Sequence, residues 1–182
     1  DSPEWCTRCN VIMNLMRVMM LSWEYPPRIV GGISPHVYEL SQQLVKQDVE
    51  VHVVTKATPQ APDEEIETSG VHVHRVQLAE EPNDFVHEIQ LLNHATDLRV
   101  RRLLEDWRPG GQPTIFHAHD WLSLDSAREL KYEYQLPLVA TIHATEAGRH
   151  GVSAGPARDR RLHGTRVPEG AASGYLRSEE HT

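Results

Sequence analysis

The side chains best suited to chemistry lie in residues 117–121, which read His-Ala-His-Asp-Trp. Imidazoles can transfer protons, bind hydroxyl groups or ligate metal ions, and a carboxylate can accept several hydrogen bonds. This run overlaps the end of TIFHA at 114–118, an apolar stretch that predicts a strand. Three polar groups at a strand's carboxyl end are hard to explain as core, although Asp120 can also be only a helix cap.

Two further features can share a site with this run. Gly31 and Gly32 precede a predicted helix, whose N-terminus offers unpaired N–H groups and the positive end of the helix dipole. Such a terminus suits a phosphate or a sugar hydroxyl, while a bare glycine pair can also be no more than a turn. His143 ends another predicted strand, where a lone histidine can be either structural or catalytic.

The elements that must position these residues alternate between strands and helices. Strands are predicted at 17–22, 49–55, 71–77, 114–118 and 138–143, and helices at 34–47, 83–107 (one helix or two) and 122–135. Ser34 is expected to cap the first helix, with Pro35 at its first helical position. His72 and His74 share one face of the third strand, which predicts a solvated face.

This alternation predicts an α/β fold, namely a Rossmann-like three-layer domain with a parallel sheet in strand order 3-2-1-4-5. In such a sheet, ligands bind outside the carboxyl ends of the strands, where the strand order reverses. Here that point lies between the first and fourth strands. The loops that carry the glycine pair, His119 with Asp120, and His143 are therefore expected to face one crevice.

A metal site is not expected from these motifs. Binuclear metallohydrolases use His-x-His-x-Asp-His, whereas here Asp120 follows His119 directly and Trp121 stands where a spacer or ligand would be. Cys6 and Cys9 form one CxxC, without the second pair that a structural zinc site needs. We interpret this CxxC as incidental.

The chain resembles the N-terminal domain of GT-B fold glycosyltransferases, specifically family 4 and the related glycogen and starch synthases. The matching stretches are SWEYPPRIVGGISPHVYELSQQL, VEVHVVT, FHAHDW and VATIHATEAGRHG, all within residues 16–151. The resemblance implies retaining transfer of a hexosyl unit from a nucleotide-sugar to a glucan or another sugar acceptor, in a cleft between two Rossmann-like domains. It implies no metal, no other cofactor and no protein nucleophile, with the leaving phosphate stabilised electrostatically.

The resemblance also implies roles for single residues. Gly31 and Gly32 match the glycine pair that approaches the donor phosphates and sugar. Asp120 matches the aspartate that contacts the acceptor sugar, and His143 matches the histidine near the transferred sugar. These last two are the candidate catalytic residues, and His119 beside them is a candidate for binding donor or acceptor.

One departure from the pattern concerns the phosphate contact. Glycogen and starch synthases carry Lys-x-Gly-Gly-Leu, but Ile29 stands here at the position of the lysine, and Arg28 lies one residue earlier. Arg28 therefore joins the candidate binding residues, and the broader family 4 is favoured over a strict starch-synthase type. The usual Gly-His after the first helix is here Asp48-Val49, a change that we interpret as structural.

The family's C-terminal GT-B domain holds most of the nucleotide site, including a Glu-x7-Glu motif, and nothing similar follows Gly151. We therefore expect a truncated fragment with its domain at 16–151. Residues 1–15 are expected to be a non-native or disordered leader. Residues 152–182 are expected to be a disordered, non-native tail, because their Gly-, Arg-, Ala- and Glu-rich composition has no apolar periodicity.

Other functions remain as alternatives. A catalytically inert Rossmann-like nucleotide-binding domain fits the same elements. An NAD(P)-binding oxidoreductase domain predicts Gly-x-Gly-x-x-Gly after the first strand and an acidic residue ending the second, whereas the sequence has VGGIS and Thr55-Lys56. A receiver-type signalling domain needs an acidic cluster, which Glu24 alone does not make.

The composition argues against some classes of binding partner. A net charge of −8 and a pI near 5.8 argue against a nucleic-acid partner. The sequence has no run of 18 apolar residues, so no transmembrane segment is expected. Scarce cysteine and the absence of a recognisable export signal favour a cytoplasmic location.

Overall fold

The protein is described by a computed structural model that covers residues 16–107 and 112–144. The predicted leader at 1–15 and tail at 152–182 lie outside the described residues, so both stay predictions. No helix within the described ranges is long and apolar enough to cross a membrane.

Strands and helices alternate along the described part of the chain. The strands are β1 (Arg17–Ser22), β2 (Glu50–Lys56), β3 (Glu64–Ile66), β4 (His72–Val76), β5 (Thr114–His119) and β6 (Leu138–Thr141). The helices are α1 (Ile33–Val45), α2 (Phe85–Asp106) and α3 (Leu124–Tyr134), and a 3-10 turn at Trp121–Ser123 leads into α3. The region predicted as one helix or two is thus the single helix α2.

The strands form one sheet in the order β3-β4-β2-β1-β5-β6. All neighbours pair in parallel except β3, which runs antiparallel to β4. Without β3 the order is the predicted 3-2-1-4-5, and the α/β, Rossmann-like prediction is confirmed. The sequence did not predict β3 because its residues, Glu-Glu-Ile, show no apolar alternation and lie at the sheet edge.

The centre of the sheet forms the core. Met19, Met20 and Leu21 of β1 have no exposed surface, and neither do Val53 and Val54 of β2. Successive side chains of a strand point to opposite faces, so both faces of these strands are covered. The parallel pairing of β1 with β5 and of β5 with β6 places the carboxyl ends of these strands side by side at one edge.

The start of α1 differs from the prediction. Gly32 is the N-cap residue and makes no side-chain cap bond, so Ser34 and Pro35 lie within the first turn. Ser34 Oγ is buried without a hydrogen-bond partner among the described residues. The expected Ser34 cap is wrong, because the amides at this terminus are satisfied by a different group, described below.

In β4, His74 is buried and His72 is half-buried, so the predicted solvated face is wrong for His74. His52 and His74 are 5% and 7% exposed, and His52 Nδ1 lies 3.0 Å from His74 Nε2. Glu50 Oε1 lies 2.8 Å from His52 Nε2, and Arg99 Nη2 of α2 donates to His74 Nδ1 at 2.9 Å. The Trp107 ring also lies 4.7 Å from that of His52. Residues in and just after α2 thus cover a face that strand periodicity alone leaves open.

These two buried histidines predict a pH dependence of stability. Burial lowers the pKa of His52 to about 4 and, with help from Arg99, that of His74 to about 3. An unfolded histidine titrates near pH 6.5, so between about pH 6.5 and pH 4 the unfolded state binds protons that the folded state does not. The free energy of unfolding should therefore fall as the pH falls, by roughly 1.5 kcal/mol per histidine between about pH 6.5 and pH 5.

Urea unfolding of the whole chain at the two pH values measures this dependence. The exposed His94→Gln variant is the control and should keep the wild-type pH dependence. The double variant His52→Leu with His74→Leu should show a weaker one, and the part that remains comes from the other histidines whose pKa burial lowers, His119 above all. An unchanged pH dependence in the double variant would contradict the assignment.

Candidate functional site

Three imidazoles from different elements meet at the carboxyl edge of the sheet. His36 lies in the first turn of α1, His119 ends β5, and His143 follows β6. The ring centroids are 4.7 Å apart for His36 and His143, 5.6 Å for His119 and His143, and 5.7 Å for His36 and His119. Nδ1 of His119 lies 3.3 Å from Nε2 of His143. We call these three residues the histidine cluster.

The sheet register explains two members of this cluster. β5 lies between β1 and β6, and His119 pairs with Ser22 on one side and with Thr141 on the other. His143, two residues beyond Thr141, is thereby placed beside His119. His117 adds a fourth imidazole, with its ring 4.1 Å from that of His119 and its Nε2 2.8 Å from Thr141 Oγ1. The structure thus brings the predicted site residues His119 and His143 together, while their roles stay predictions.

Burial favours the neutral form of His117, His119 and His143. It lowers the pKa of His119 to about 2, assisted by the neighbouring histidines, and it also lowers the pKa of His117 and His143. For His143 the carboxylates of Asp120 and Glu24 act in the opposite direction and raise the pKa. A neutral imidazole has one donor and one acceptor nitrogen, so it can donate a hydrogen bond to a hydroxyl group or accept one from it.

Asp120 occupies a strained turn after β5. Its backbone has φ 65° and ψ 169°, a region that residues other than glycine rarely adopt. Its N–H donates to the Thr141 carbonyl at 2.7 Å, and its Oδ1 accepts the Trp121 N–H at 2.8 Å. The cap function that the sequence left open is therefore observed. Asp120 has no exposed surface, so a sugar hydroxyl reaches it only when a neighbouring group moves.

The glycine loop, residues 29–34, is folded around a buried carboxylate. Glu24 is 2% exposed, and its Oε2 accepts the N–H of Val30 and, at 2.8 Å, that of Gly31. Its Oε1 accepts the N–H of Ile33 at 3.1 Å. The expectation of unpaired N–H groups at this helix terminus is wrong for these three residues, because an internal anion already takes the position that a phosphate would take.

The glycine pair itself does not need a left-handed backbone. Gly32 has φ −78° and ψ −12°, and Gly70 is the one glycine with positive φ among the described residues. A Cβ added to Gly31 would lie 3.6 Å from Glu24 Oε1, which is ordinary contact, and one added to Gly32 would meet no atom within 4 Å. Gly32 thus borders open space that an external group can enter. The predicted approach of this pair to a donor stays a prediction.

Arg28 is directed to other partners. Its Nη1 donates to the Trp23 carbonyl at 2.9 Å, and its guanidinium lies 4.6 Å from the centre of the Trp23 ring. Glu88 Oε1 lies 3.9 Å from Nη2, and burial lowers the pKa of Arg28. Within the described residues it makes no bond or ring contact with the histidine cluster. The structure therefore does not join Arg28 to the other candidates, and its phosphate contact stays a prediction.

Sequence reasoning missed His36 and Glu24. A signal for His36 exists, because it lies one helical turn after Gly32, and the first turn of a helix faces the same crevice as its N-terminus. Glu24 offers a weaker signal, as an acidic residue between an apolar strand and a glycine pair. Neither pattern predicts which groups the side chain contacts in the folded protein.

Comparison with known proteins adds a family and several relatives. The family model for Glycosyltransferase Family 4 matches residues 30–167. A glycogen synthase of Mycobacterium tuberculosis is 36% identical over 164 residues, covering 81% of this chain and 38% of that protein. An uncharacterized glycosyltransferase of Methanocaldococcus jannaschii is 34% identical over 136 residues, covering 75% and 33%. The chain therefore spans well under half the length of these curated relatives.

A solved structure supports the fold. Sucrose-phosphate synthase from Thermosynechococcus elongatus matches 71% of this chain and 33% of its own chain, with a TM-score of 0.54 and 19% identity. At this identity the likeness shows the fold alone. It agrees with the α/β fold described above.

Proposed function

The chain belongs to glycosyltransferase family 4, and we propose that it supplies the acceptor-side domain of a retaining hexosyltransferase. The proposed donor is a nucleotide-sugar, and the proposed acceptor is a hydroxyl of a glucan or another sugar. The observation that carries this proposal is the meeting of the histidine cluster with Asp120 at the carboxyl edge of the sheet. Open α/β sheets bind their ligands at this edge.

The imidazole rings supply hydroxyl-binding groups at this edge. His143 is half-buried and His36 is exposed, so both can meet a ligand, whereas His119 behind them is fully buried. A hydrogen bond from a ring nitrogen to the sugar speeds the reaction if it is stronger in the transition state than in the ground state. We therefore assign His143 to the transferred sugar, with His119 holding its ring from behind.

The carboxylates near the cluster are not placed as nucleophiles. Retaining enzymes that form a covalent intermediate need a carboxylate that reaches the sugar carbon. Glu24 is bound to backbone amides, and Asp120 is buried and caps a turn. Among the described residues these are the acids acting on His143. Their placement supports same-face attack through an oxocarbenium-like state, without a protein nucleophile.

Stabilisation of the leaving phosphate is proposed to come from a second domain. Glu24 holds the amides of the glycine loop, and its negative charge repels a phosphate placed there. The relatives extend well beyond the matched region. The same argument weakens the NAD(P)-binding alternative, because a dinucleotide pyrophosphate needs the amides of this helix terminus.

The chain alone is therefore expected to show no transferase turnover. The measurement is release of nucleoside diphosphate from a panel of nucleotide-sugars with a glucan acceptor, and the full-length gene product is the comparison. The full-length product should transfer the sugar with the anomeric configuration of the donor, as read by NMR. Turnover by the chain alone would refute the need for a second domain.

The same assay tests the proposed function itself. An inverted product would overturn the retaining mechanism. Binding of a nucleotide-sugar by the full-length product without any transfer would favour the inert nucleotide-binding alternative.

A further inference from the structure

The histidine cluster has the geometry of a three-histidine metal site, and we propose that His36, His119 and His143 bind Zn²⁺ or a similar divalent transition-metal ion. One ring nitrogen from each residue lies within 4.8 Å of the other two. Neutral imidazole is a common ligand of Zn²⁺, and three histidines with a water molecule in the fourth position form an established type of zinc site.

The distance between two of the nitrogens supports this assignment. Zinc binds imidazole nitrogen at about 2.0–2.1 Å, so tetrahedral geometry places two ligand nitrogens about 3.3–3.4 Å apart. The separation of His119 Nδ1 and His143 Nε2 is 3.3 Å. Hydrogen bonds from N–H groups usually span about 2.7–3.2 Å. This separation therefore fits two ligands of one ion, and as a hydrogen bond it would be a long one.

His119 also lacks the partners that a buried polar ring normally has. Its Nε2 is buried and has no hydrogen-bond partner among the described residues. Its Nδ1 has the long contact with His143. Buried polar groups are nearly always satisfied, and an exception calls for an explanation such as a bound ion. An ion bound by Nε2 would satisfy the unpartnered atom, and an ion bound by Nδ1 would take the place of the long contact with His143.

The surroundings favour a cation that enters from solvent. The carboxylates of Glu24 and Asp120 act electrostatically on His143, and both are at most 2% exposed. Negative charge in a buried position is screened less than at the surface, so it attracts a cation strongly. His36 is exposed, which leaves a route for the ion and for a water ligand.

This site was not predictable from the sequence, because the metallohydrolase motif joins residues that are near one another in the chain. His117, His119 and Asp120 do not have the spacing of a metallohydrolase. The fold instead adds His36 from α1 and His143 from the end of β6. The inference does not depend on the proposed function, because its test measures metal binding and not sugar transfer.

The test is Zn²⁺ binding to the whole chain with Cys6→Ser and Cys9→Ser in every sample, because that thiol pair can bind zinc itself. Competition with a chromophoric chelator gives affinity and stoichiometry. We expect one ion per chain. Loss of an outer-shell partner typically weakens a metal site by about 10–100-fold, so His36→Gln and His143→Gln should each weaken binding by at least about 100-fold.

The control is His94→Gln, which changes an exposed histidine of α2 and should bind zinc as the parent does. His36 is also exposed, so its replacement should leave the far-ultraviolet circular dichroism unchanged. Equal zinc affinity in His36→Gln and His94→Gln would overturn the proposal. So would ring ¹⁵N resonances of His36, His119 and His143 that do not shift when Zn²⁺ is added.

Discussion

His143→Ala in the full-length gene product is expected to lower kcat/KM for sugar transfer by about 100-fold, equivalent to about 2.7 kcal/mol of transition-state stabilisation. The reason is that the neutral ring of His143 is half-buried at the crevice and its contacts within the protein are weak. They are one nitrogen 3.3 Å from His119 and an edge contact with His36. Its removal should therefore change unfolding much less than it changes turnover.

Asp120→Asn completes this experiment. Asparagine tolerates a positive φ and keeps an oxygen that can accept the Trp121 N–H, so the turn should survive while the charge is lost. Steady-state kinetics and urea unfolding of both variants are measured with His94→Gln as the control. Wild-type turnover in both variants would remove His143 and Asp120 from the site. A loss of stability that accounts for the whole loss of activity would make their role structural.

Glu24→Ala is expected to destabilise the chain by about 3 kcal/mol. Each hydrogen bond to a charged group contributes about 1.5–3 kcal/mol, and Glu24 accepts three backbone N–H groups. The total is less than the sum, because Val30 and Gly31 are exposed and their amides can bind water instead. Urea unfolding measures the change in the free energy of unfolding.

Hydrogen exchange of single amides separates this role from a general loss of packing. The amides of Val30, Gly31 and Ile33 should exchange faster in Glu24→Ala. The exchange rates of the β2 amides should change only as far as the global free energy of unfolding changes. Glu24→Gln keeps one acceptor oxygen and should lose about 1–2 kcal/mol. The exposed Glu105→Gln should change neither quantity. Unaltered exchange at the loop amides in Glu24→Ala would show that the carboxylate does not hold the loop.

The fold was largely predictable from the sequence. Strand and helix periods alternate along the chain, and the right-handed crossover leaves few topologies, so the order around β1 follows. β3 was not predictable, because three residues without apolar alternation pair only through backbone groups that β4 happens to present. The burial of His52 and His74 was missed because it depends on a helix that crosses their strands.

The location of the candidate site was predictable from the sequence, but only some of its residues were. The ends of β5 and β6 had to be adjacent once the strand order was known, which joins His119 to His143. His36 came from a helix whose rotation about its axis the sequence does not specify. Arg28 shows the opposite failure, since a basic residue one position before that of the motif's lysine turns to Trp23 and Glu88.

By itself, the sequence determined that this chain has a parallel α/β sheet, belongs to glycosyltransferase family 4, and gathers its polar loops at one edge. Those properties follow from local periodicity, the handedness of crossovers and the order of motifs. Only the tertiary structure decided that Glu24 occupies the amides of the glycine loop and that His36, His119 and His143 meet. The reason is that packing sets the partner of a buried polar group, and packing joins residues that no spacing in the chain relates.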